Sequence, residues 1–357
     1  MAKVLVLFGG TSSEHEVSLK SAATVISILE NTEHDVIKVG ITKKGQWMYT
    51  SASTDEIKDG SWESNKLNCR AILSPERINQ GVVLLKDNNF ETVKVDCVWP
   101  VLHGKYGEDG TVQGLCELAG IPYVGPGVCA SAVSMDKSRT KIVVEKTGVR
   151  QADYFLVKKE TYESDSEKNV KEIEAYFENA LPLFVKPCSA GSSVGVAKAA
   201  NHTELCEAIE VALKHDRKVL IEESIVGREV EVAVLGNSDP KASVVGEVLS
   251  ANEFYDYSAK YINSASKTVI PAPISQSESE KLRNAAVTIY SALECKGLSR
   301  VDFFLCENEE IVFNEINTLP GFTNISMYPK LWEASGVTNA ELANTLISLA
   351  LENADCL

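Results

Sequence analysis

The sequence predicts an α/β protein: an N-terminal open parallel α/β unit followed by two further segments of mixed strands and helices. Three observations carry this. The chain has 357 residues, about twice an ordinary domain. Its first part alternates short apolar runs with helical stripes, the pattern of an open α/β sheet. Its last third sets alternating strands beside a long helix and a hairpin. Changes of character near residues 129 and 226 divide it into 1–129, 130–226 and 227–357.

Along the chain, residues 4–8 form a fully apolar run ending in Gly9-Gly10, as a buried parallel strand does. Residues 17–29 follow with a helical stripe at positions 22, 25, 26 and 29. Strands are predicted at 36–41 and 93–102, and a short helix at 112–119. The polar stretch 50–92 is expected to be an irregular insertion. Residues 134–146 then make a basic helix. Strands at 182–186 and 194–198 flank a loop of small residues, followed by a helix at 204–213 and a strand at 219–223. The final part has strands at 229–235 and 242–249 and helices at 279–293 and 339–352. Ligands in such a sheet sit at the carboxyl ends of strands, which Gly9-Gly10 and His103-Gly104 occupy.

Composition narrows the function. With 35 basic and 50 acidic residues the formal charge is −15, a poor surface for nucleic acid or an anionic membrane. Hydrophobic residues at 44% and charged ones at 24% are ordinary globular usage, which argues against disorder, collagen and coiled coil. No apolar run approaches the roughly 18 residues of a membrane span, and the start is too short for a signal peptide. A cytoplasmic protein is expected. The nine cysteines are odd in number and never form Cys-x-x-Cys, and the five histidines lack metal-ligand spacing.

The most informative stretch is 299–317. Two apolar runs flank Glu307-Asn308-Glu309-Glu310, so an antiparallel hairpin follows. A turn centred between 308 and 309 sets Asp302 opposite Glu315 and Arg300 opposite Asn317, all four on one sheet face. Opposed carboxylates repel. A divalent cation between them would reverse the sign, and the oxygen donors of Asp302, Glu315 and Asn317 suit magnesium better than zinc. A solvated charged face is the competing reading.

No Gly-x-x-x-x-Gly-Lys-Ser/Thr loop exists. Lys186 instead precedes Gly191-Ser192-Ser193-Val194-Gly195, a loop able to bring N–H groups onto phosphate oxygens, although such loops are also plain hairpin turns. Lys137 is equally ambiguous. Gly125-Pro126-Gly127 matches a dinucleotide fingerprint formally but reads as a structural turn. Ser13 and Glu16 fit a capping box at a helix start, while a carboxylate there could also hold a substrate ammonium.

These motifs converge. The stretches Gly9-Gly10-Thr11-Ser12-Ser13-Glu14-His15-Glu16, His103-Gly104-Lys105-Tyr106-Gly107-Glu108-Asp109-Gly110, Met135-Asp136-Lys137, Lys186-Pro187, Tyr257-Ser258-Ala259-Lys260-Tyr261, Arg300-Val301-Asp302 and Asn314-Glu315-Ile316-Asn317 resemble those of the D-alanine–D-alanine ligases of the ATP-grasp superfamily. The likeness covers nearly the whole chain and implies a two-lobed ATP-grasp fold after the N-terminal unit. It implies ATP-driven joining of two D-alanines through an acyl phosphate, for peptidoglycan precursors. Lys137, Lys186, Ser193 and Lys260 would bind the phosphates, Glu222, Glu223 and Ile225 the adenine, and Glu229 the ribose. Asp302, Glu315 and Asn317 would hold two magnesium ions, replaceable by manganese, with a monovalent cation as a candidate activator. Glu16 would meet the first ammonium, tied to Ser192 and Tyr261. Arg300 and Gly321 would form an oxyanion hole, Ser326 would bind the second carboxylate, and His103 and Glu108 would line the substrate side. Residues 250–268 are the expected lid, and a homodimer is usual for such ligases. The resemblance leaves D-serine or D-lactate open as second substrate, although the intact Tyr257, Lys260 and Tyr261 pattern favours D-alanine over D-lactate. A nicotinamide-dependent oxidoreductase built on the Gly125 turn is the alternative of a different class.

Overall fold

The computed structural model describes residues 1–86, 89–191, 194–249 and 267–354. The order is β1 (Lys3–Gly9), α1 (His15–Glu30), β2 (Asp35–Ile41), β3 (Trp47–Tyr49), α2 (Thr54–Asp59), β4 (Cys69–Leu73), β5 (Gly81–Lys86), β6 (Asn89–Lys94), β7 (Cys97–Val101) and α3 (Thr111–Ala119). Then come α4 (Val128–Met135), α5 (Lys137–Glu145), β8 (Tyr154–Lys158), α6 (Lys159–Ser164), α7 (Ser166–Tyr176), β9 (Leu183–Pro187), β10 (Ala197–Ala199), α8 (His202–Ala212) and β11 (Lys218–Glu223). The rest is β12 (Arg228–Leu235), β13 (Lys241–Leu249), β14 (Lys267–Val269), α9 (Gln276–Ala292), β15 (Leu298–Leu305), β16 (Ile311–Asn317), α10 (Met327–Ala334) and α11 (Asn339–Glu352).

Three sheets result, of seven, four and five strands. In the first, ordered β6-β5-β4-β3-β2-β1-β7, only β2, β1 and β7 run parallel. Val4 to Phe8 are fully buried, as a strand covered on both faces must be. The expected parallel sheet is therefore extended by antiparallel strands: β3 lies just before the 50–92 stretch, and the described residues of that stretch, expected to be irregular, supply β4, β5 and most of β6. Its strands are short and half-exposed, so no period shows in sequence. Trp62 anchors the insertion: its ring stands edge-on to Phe8 at 5.1 Å and covers Gly40, where a Cβ would lie 2.3 Å from it. The predicted strand 93–102 divides at Val95-Asp96, where Asp96 turns to accept the N–H of Lys3 at 2.7 Å.

The predicted helix 134–146 is likewise two helices. Asp136 has extended backbone, and its carboxylate caps α5 by accepting from the N–H groups of Ser138 and Arg139. That break puts Lys137 at the first position of α5. In the other two sheets, β10-β9-β11-β8 and β14-β13-β12-β15-β16, all pairs are antiparallel. Leu282, Ala286 and Ile289 of α9 close the core of the larger one, with Tyr290 donating to the Gly236 carbonyl at 2.7 Å. Ser275 and Glu278 start α9 with a capping box, and Thr338 and Glu341 start α11 in the same way. The last helix folds back onto the first layer, where Leu342 and Leu346 share a core with Leu19, Phe8 and Trp99. The eight described cysteines are all free. No described helix is long and apolar enough to cross a membrane.

Candidate active site

A cavity of about 470 Å³ opens between the two antiparallel sheets and reaches the loops after β1 and β7. Its floor is the β15–β16 hairpin. The register sets Asp302 opposite Glu315 and Arg300 opposite Asn317, as the sequence predicts, but for a different reason. Near the turn the partners are Phe303 with Phe313 and Leu305 with Ile311, one residue out of step. A bulge at Asn314 restores the step and keeps both acids on the cavity face. The row continues onto β12, because Glu231 lies opposite Asp302. Period-two reading of β12 from Glu229 would have found Glu231.

Protein cations hold this row of acids together. Arg300 donates from Nε to Asp302 Oδ1 and from Nη2 to Oδ2, both at 2.7 Å, and its Nε lies 3.0 Å from Glu231 Oε2. Asn317 donates to Asp302 Oδ2 at 3.0 Å, and Lys137 Nζ lies 3.3 Å from Glu315 Oε2. Burial works against the Arg300 charge, yet Asp302, Glu231 and Glu315 raise its pKa well above normal. The repulsion expected between the opposed acids is thus offset within the protein itself, by Arg300 and Lys137, whose two positive charges stand against the three carboxylates of Glu231, Asp302 and Glu315. Asp302, Glu315 and Asn317 line the cavity with the oxygen donors that a hard cation takes, while no group of three or more His, Cys, Asp or Glu side chains among the described residues is arranged to hold a metal ion.

The facing wall carries Lys186 on β9 and Lys137 on α5. Lys186 Nζ reaches Glu222 Oε2 at 2.6 Å and Asn314 Oδ1 at 3.3 Å. Lys137 also donates to the Ala190 carbonyl at 3.3 Å. Glu222, Glu223, Ile225 and Glu229 line the cavity where β11 passes into β12, beside Phe184 and Phe304. Glu223 accepts from the Asp153 N–H at 2.9 Å and meets Arg150 at 3.3 Å.

At the other end, Glu16 does not reach the cavity. Its side chain is 54% exposed and pairs with Lys43 at 2.6 Å, whose hydrogen bond lowers its pKa. The Ser13–Glu16 capping box does not form either, for α1 starts at His15 with Glu14 at its N-cap and without a side-chain cap. Glu14 is the carboxylate on the cavity wall. It is buried between two glycines: a Cβ at Gly104 would stand 2.5 Å from Glu14 Oε2, and one at Gly191 2.9 Å. The substitution has a simple geometric cause, because the turn before α1 points residue 14 inward and residue 16 outward.

His103 is buried, with Nδ1 3.0 Å from the Leu319 carbonyl and 3.7 Å from Glu108, and Nε2 3.1 Å from Ser21 Oγ. Burial opposes its protonation, but Glu108 and Glu14 outweigh this and raise its pKa. Ser21 Oγ also accepts from the Phe322 N–H at 3.3 Å, so this cluster fixes the loop of Gly321. Ser326 lines the cavity, and its Oγ accepts from the Thr323 N–H at 3.0 Å. The Gly125 turn lies outside the cavity wall. Gly125 packs on Leu319, 2.8 Å from where its Cβ would be, and Gly127 caps α4, as a structural turn does. The predicted roles of Ser192, Ser193, Lys260 and Tyr261, and the lid apart from residues 267 and 268, fall outside the described residues.

An open α/β layer joined to two antiparallel lobes, with lysines facing a carboxylate floor across the cleft, is the ATP-grasp architecture. Residues 3–126 match the model for the D-ala D-ala ligase N-terminus and residues 143–348 that for the D-ala D-ala ligase C-terminus, so the chain belongs to the D-alanine–D-alanine ligase family. Among curated relatives, the D-alanine–D-alanine ligase of Acetivibrio thermocellus is 52% identical, covering 98% of this chain and 96% of that one. That of Clostridium acetobutylicum is 49% identical over 98% and 97%. Among solved structures, the VanG D-Ala:D-Ser ligase from Enterococcus faecalis superposes with a TM-score of 0.88 at 41% identity, covering 98% of this chain and 99% of that one. The D-alanine–D-alanine ligase from Coxiella burnetii gives 0.85 at 32%, over 99% and 96%.

Proposed function

We propose that the protein joins two D-alanines with ATP, through an acyl phosphate, as a cytoplasmic step in peptidoglycan precursor synthesis. The observation that carries this is the cleft itself: Lys137 and Lys186 on one wall face Asp302, Glu315 and Asn317, with Glu14 at the far end. Phosphoryl transfer needs positioning and charge neutralisation more than covalent help. Asp302, Glu315 and Asn317 would hold magnesium or manganese ions, which neutralise charge on the transferring phosphate. Lys137 and Lys186 take the phosphates with Ser193 and Lys260, and Glu222, Glu223 and Ile225 take adenine. Glu229 takes the ribose.

Glu14, rather than Glu16, pairs with the ammonium of the first D-alanine, alongside Ser192 and Tyr261. The first carboxylate attacks the γ-phosphate and breaks its bond to ADP, which leaves; the amine of the second D-alanine then attacks the acyl carbon, losing a proton, and displaces phosphate. Arg300 and the Gly321 N–H stabilise the tetrahedral oxyanion, a contribution of about 3–4 kcal/mol per donor. His103 with Glu108 orders the loop that carries Gly321, and Ser326 receives the second carboxylate. A lid over 250–268 would exclude water from the acyl phosphate. Three units, cut near residues 129 and 226, and a homodimer complete the proposal, with a monovalent cation as a candidate activator.

ADP release with D-alanine alone, then with added D-serine or D-lactate, tests it. Turnover with D-alanine alone, yielding the dipeptide, is expected. The likeness to VanG gives D-serine a specific claim as second substrate, and faster turnover with D-serine would establish that reading instead. A thermal shift with ATP and magnesium, and none with NAD, separates both from a dehydrogenase.

A further inference from the structure

Glu222 has a second partner hidden from the cleft. Its Oε2 meets Lys186 at 2.6 Å, and its Oε1 meets Lys141 at 2.7 Å. Lys141 sits one turn after Lys137 on α5 and does not line the main cavity. It is 2% exposed, donates to the Ala152 carbonyl at 2.9 Å and stands over the Tyr154 ring at 5.1 Å. Burial opposes the charge on Glu222, but Lys186 and Lys141 outweigh it and hold the carboxyl at about 2. Burial also pulls Lys141 below the ordinary lysine range, against the attraction of Glu222. Burying an ammonium is unfavourable, so its presence behind the base-binding carboxylate calls for a reason.

Charge counting supplies one. Lys186 with Glu222 alone sums to zero and would attract a phosphate weakly. With Lys141 the trio carries one net positive charge, on the cleft side. We propose that Lys141 is a positioning residue for nucleotide binding: it neutralises Glu222, so that the charge of Lys186 remains available to the phosphates. The inference rests on the nucleotide reading above and adds a residue that the cleft wall does not contain. Its signature is a dependence on ligand charge, which a merely structural lysine would not produce.

The test is calorimetric titration of adenosine and of ADP with magnesium into the full-length protein, K141M, E222Q and K141M/E222Q, with melting curves for each. Wild type should prefer ADP. K141M should weaken ADP by about tenfold or more while adenosine changes less than about threefold, the scale of a close charge pair. In the E222Q background the same substitution should lower the ADP-to-adenosine ratio far less, since no carboxylate remains to tie up Lys186 and its charge stays available to the phosphates. If K141M alone fails to fold, a fall of about tenfold or more within that background refutes the inference. Equal weakening of both ligands by K141M, an unchanged ADP affinity, or a fall in the ratio from E222Q to K141M/E222Q as large as that from wild type to K141M would overturn the inference. A wild-type protein that binds neither ADP nor ATP would overturn the nucleotide reading itself, and this inference with it.

Discussion

Two residues apart in sequence, Glu14 and Glu16 have opposite fates. Glu14 is wedged between Gly104 and Gly191 on the cavity wall, while Glu16 pairs with Lys43 in solvent. Glu14→Gln should raise the KM for the first D-alanine by about tenfold or more, the scale of a lost charged hydrogen bond. Glu16→Gln should leave both KM and kcat within about twofold, as exposed ion pairs contribute little. Steady-state kinetics of the two variants decides between them, and the reverse ranking would remove Glu14 from the site. His103 makes a second prediction at this scale. Its pKa is raised in the folded protein, chiefly by Glu108 against the effect of burial. The stability it contributes is therefore complete below the unfolded value of about 6.5 and is lost as pH rises through the higher folded value. Melting temperatures of wild type and His103→Gln should converge as pH rises through that window; a gap independent of pH would refute the assignment.

At the scale of elements, the hairpin shows what the sequence reveals and what it hides. The acids at 302 and 315 announce a paired site because each interrupts an apolar strand. The bulge at Asn314 has no local signature, and a register counted from the turn meets the right pairs only because the true turn and the bulge offset each other. The break at Asp136 is similar. Ser138, Arg139 and the half-buried ion pair with Lys218 fix a new helix start within a run that reads as continuous. Residues 50–92 hid their strands because their period is supplied by neighbours, with Trp62 filling the space over Gly40. Lys141 escaped notice because burial, not pattern, distinguishes it from solvated charges. The loop before α10 gives the prediction of this scale. A Cβ at Gly321 would stand 2.9 Å from Ser326 Oγ, which Thr323 already fixes. Gly321→Ala should lower kcat by about tenfold or more, since a displaced oxyanion donor is costly. Its melting temperature should fall by only a few degrees. ADP release and a melting curve together check this, and unchanged kcat would exclude the loop from the chemistry.

In the whole molecule, the chain's end is built into its beginning. Leu342, Leu346 and Ile347 of α11 share one core with Val4, Val6 and Phe8 of β1, Leu19 and Ile26 of α1, and Leu319 and Phe322 beside the Gly321 loop. His34 and Asn344 add a contact at 3.0 Å between the same two regions. The C-terminal helix thus belongs by packing to the N-terminal layer, although sequence order assigns it to the last unit. This arrangement supports the end of the cleft that Glu14 lines, because Leu319 and Phe322 in the loop between β16 and α10 pack into a core built from both ends of the chain. Leu346→Ala, which empties a fully buried position of that core, should cost about 2–5 kcal/mol. In urea the midpoint should fall with little change in slope, because the first and last segments unfold together. Activity at moderate urea should disappear in the same transition, as the Gly321 loop loses its support. An early separate transition that melts the last unit while the N-terminal sheet stays intact would show instead that the two are energetically independent.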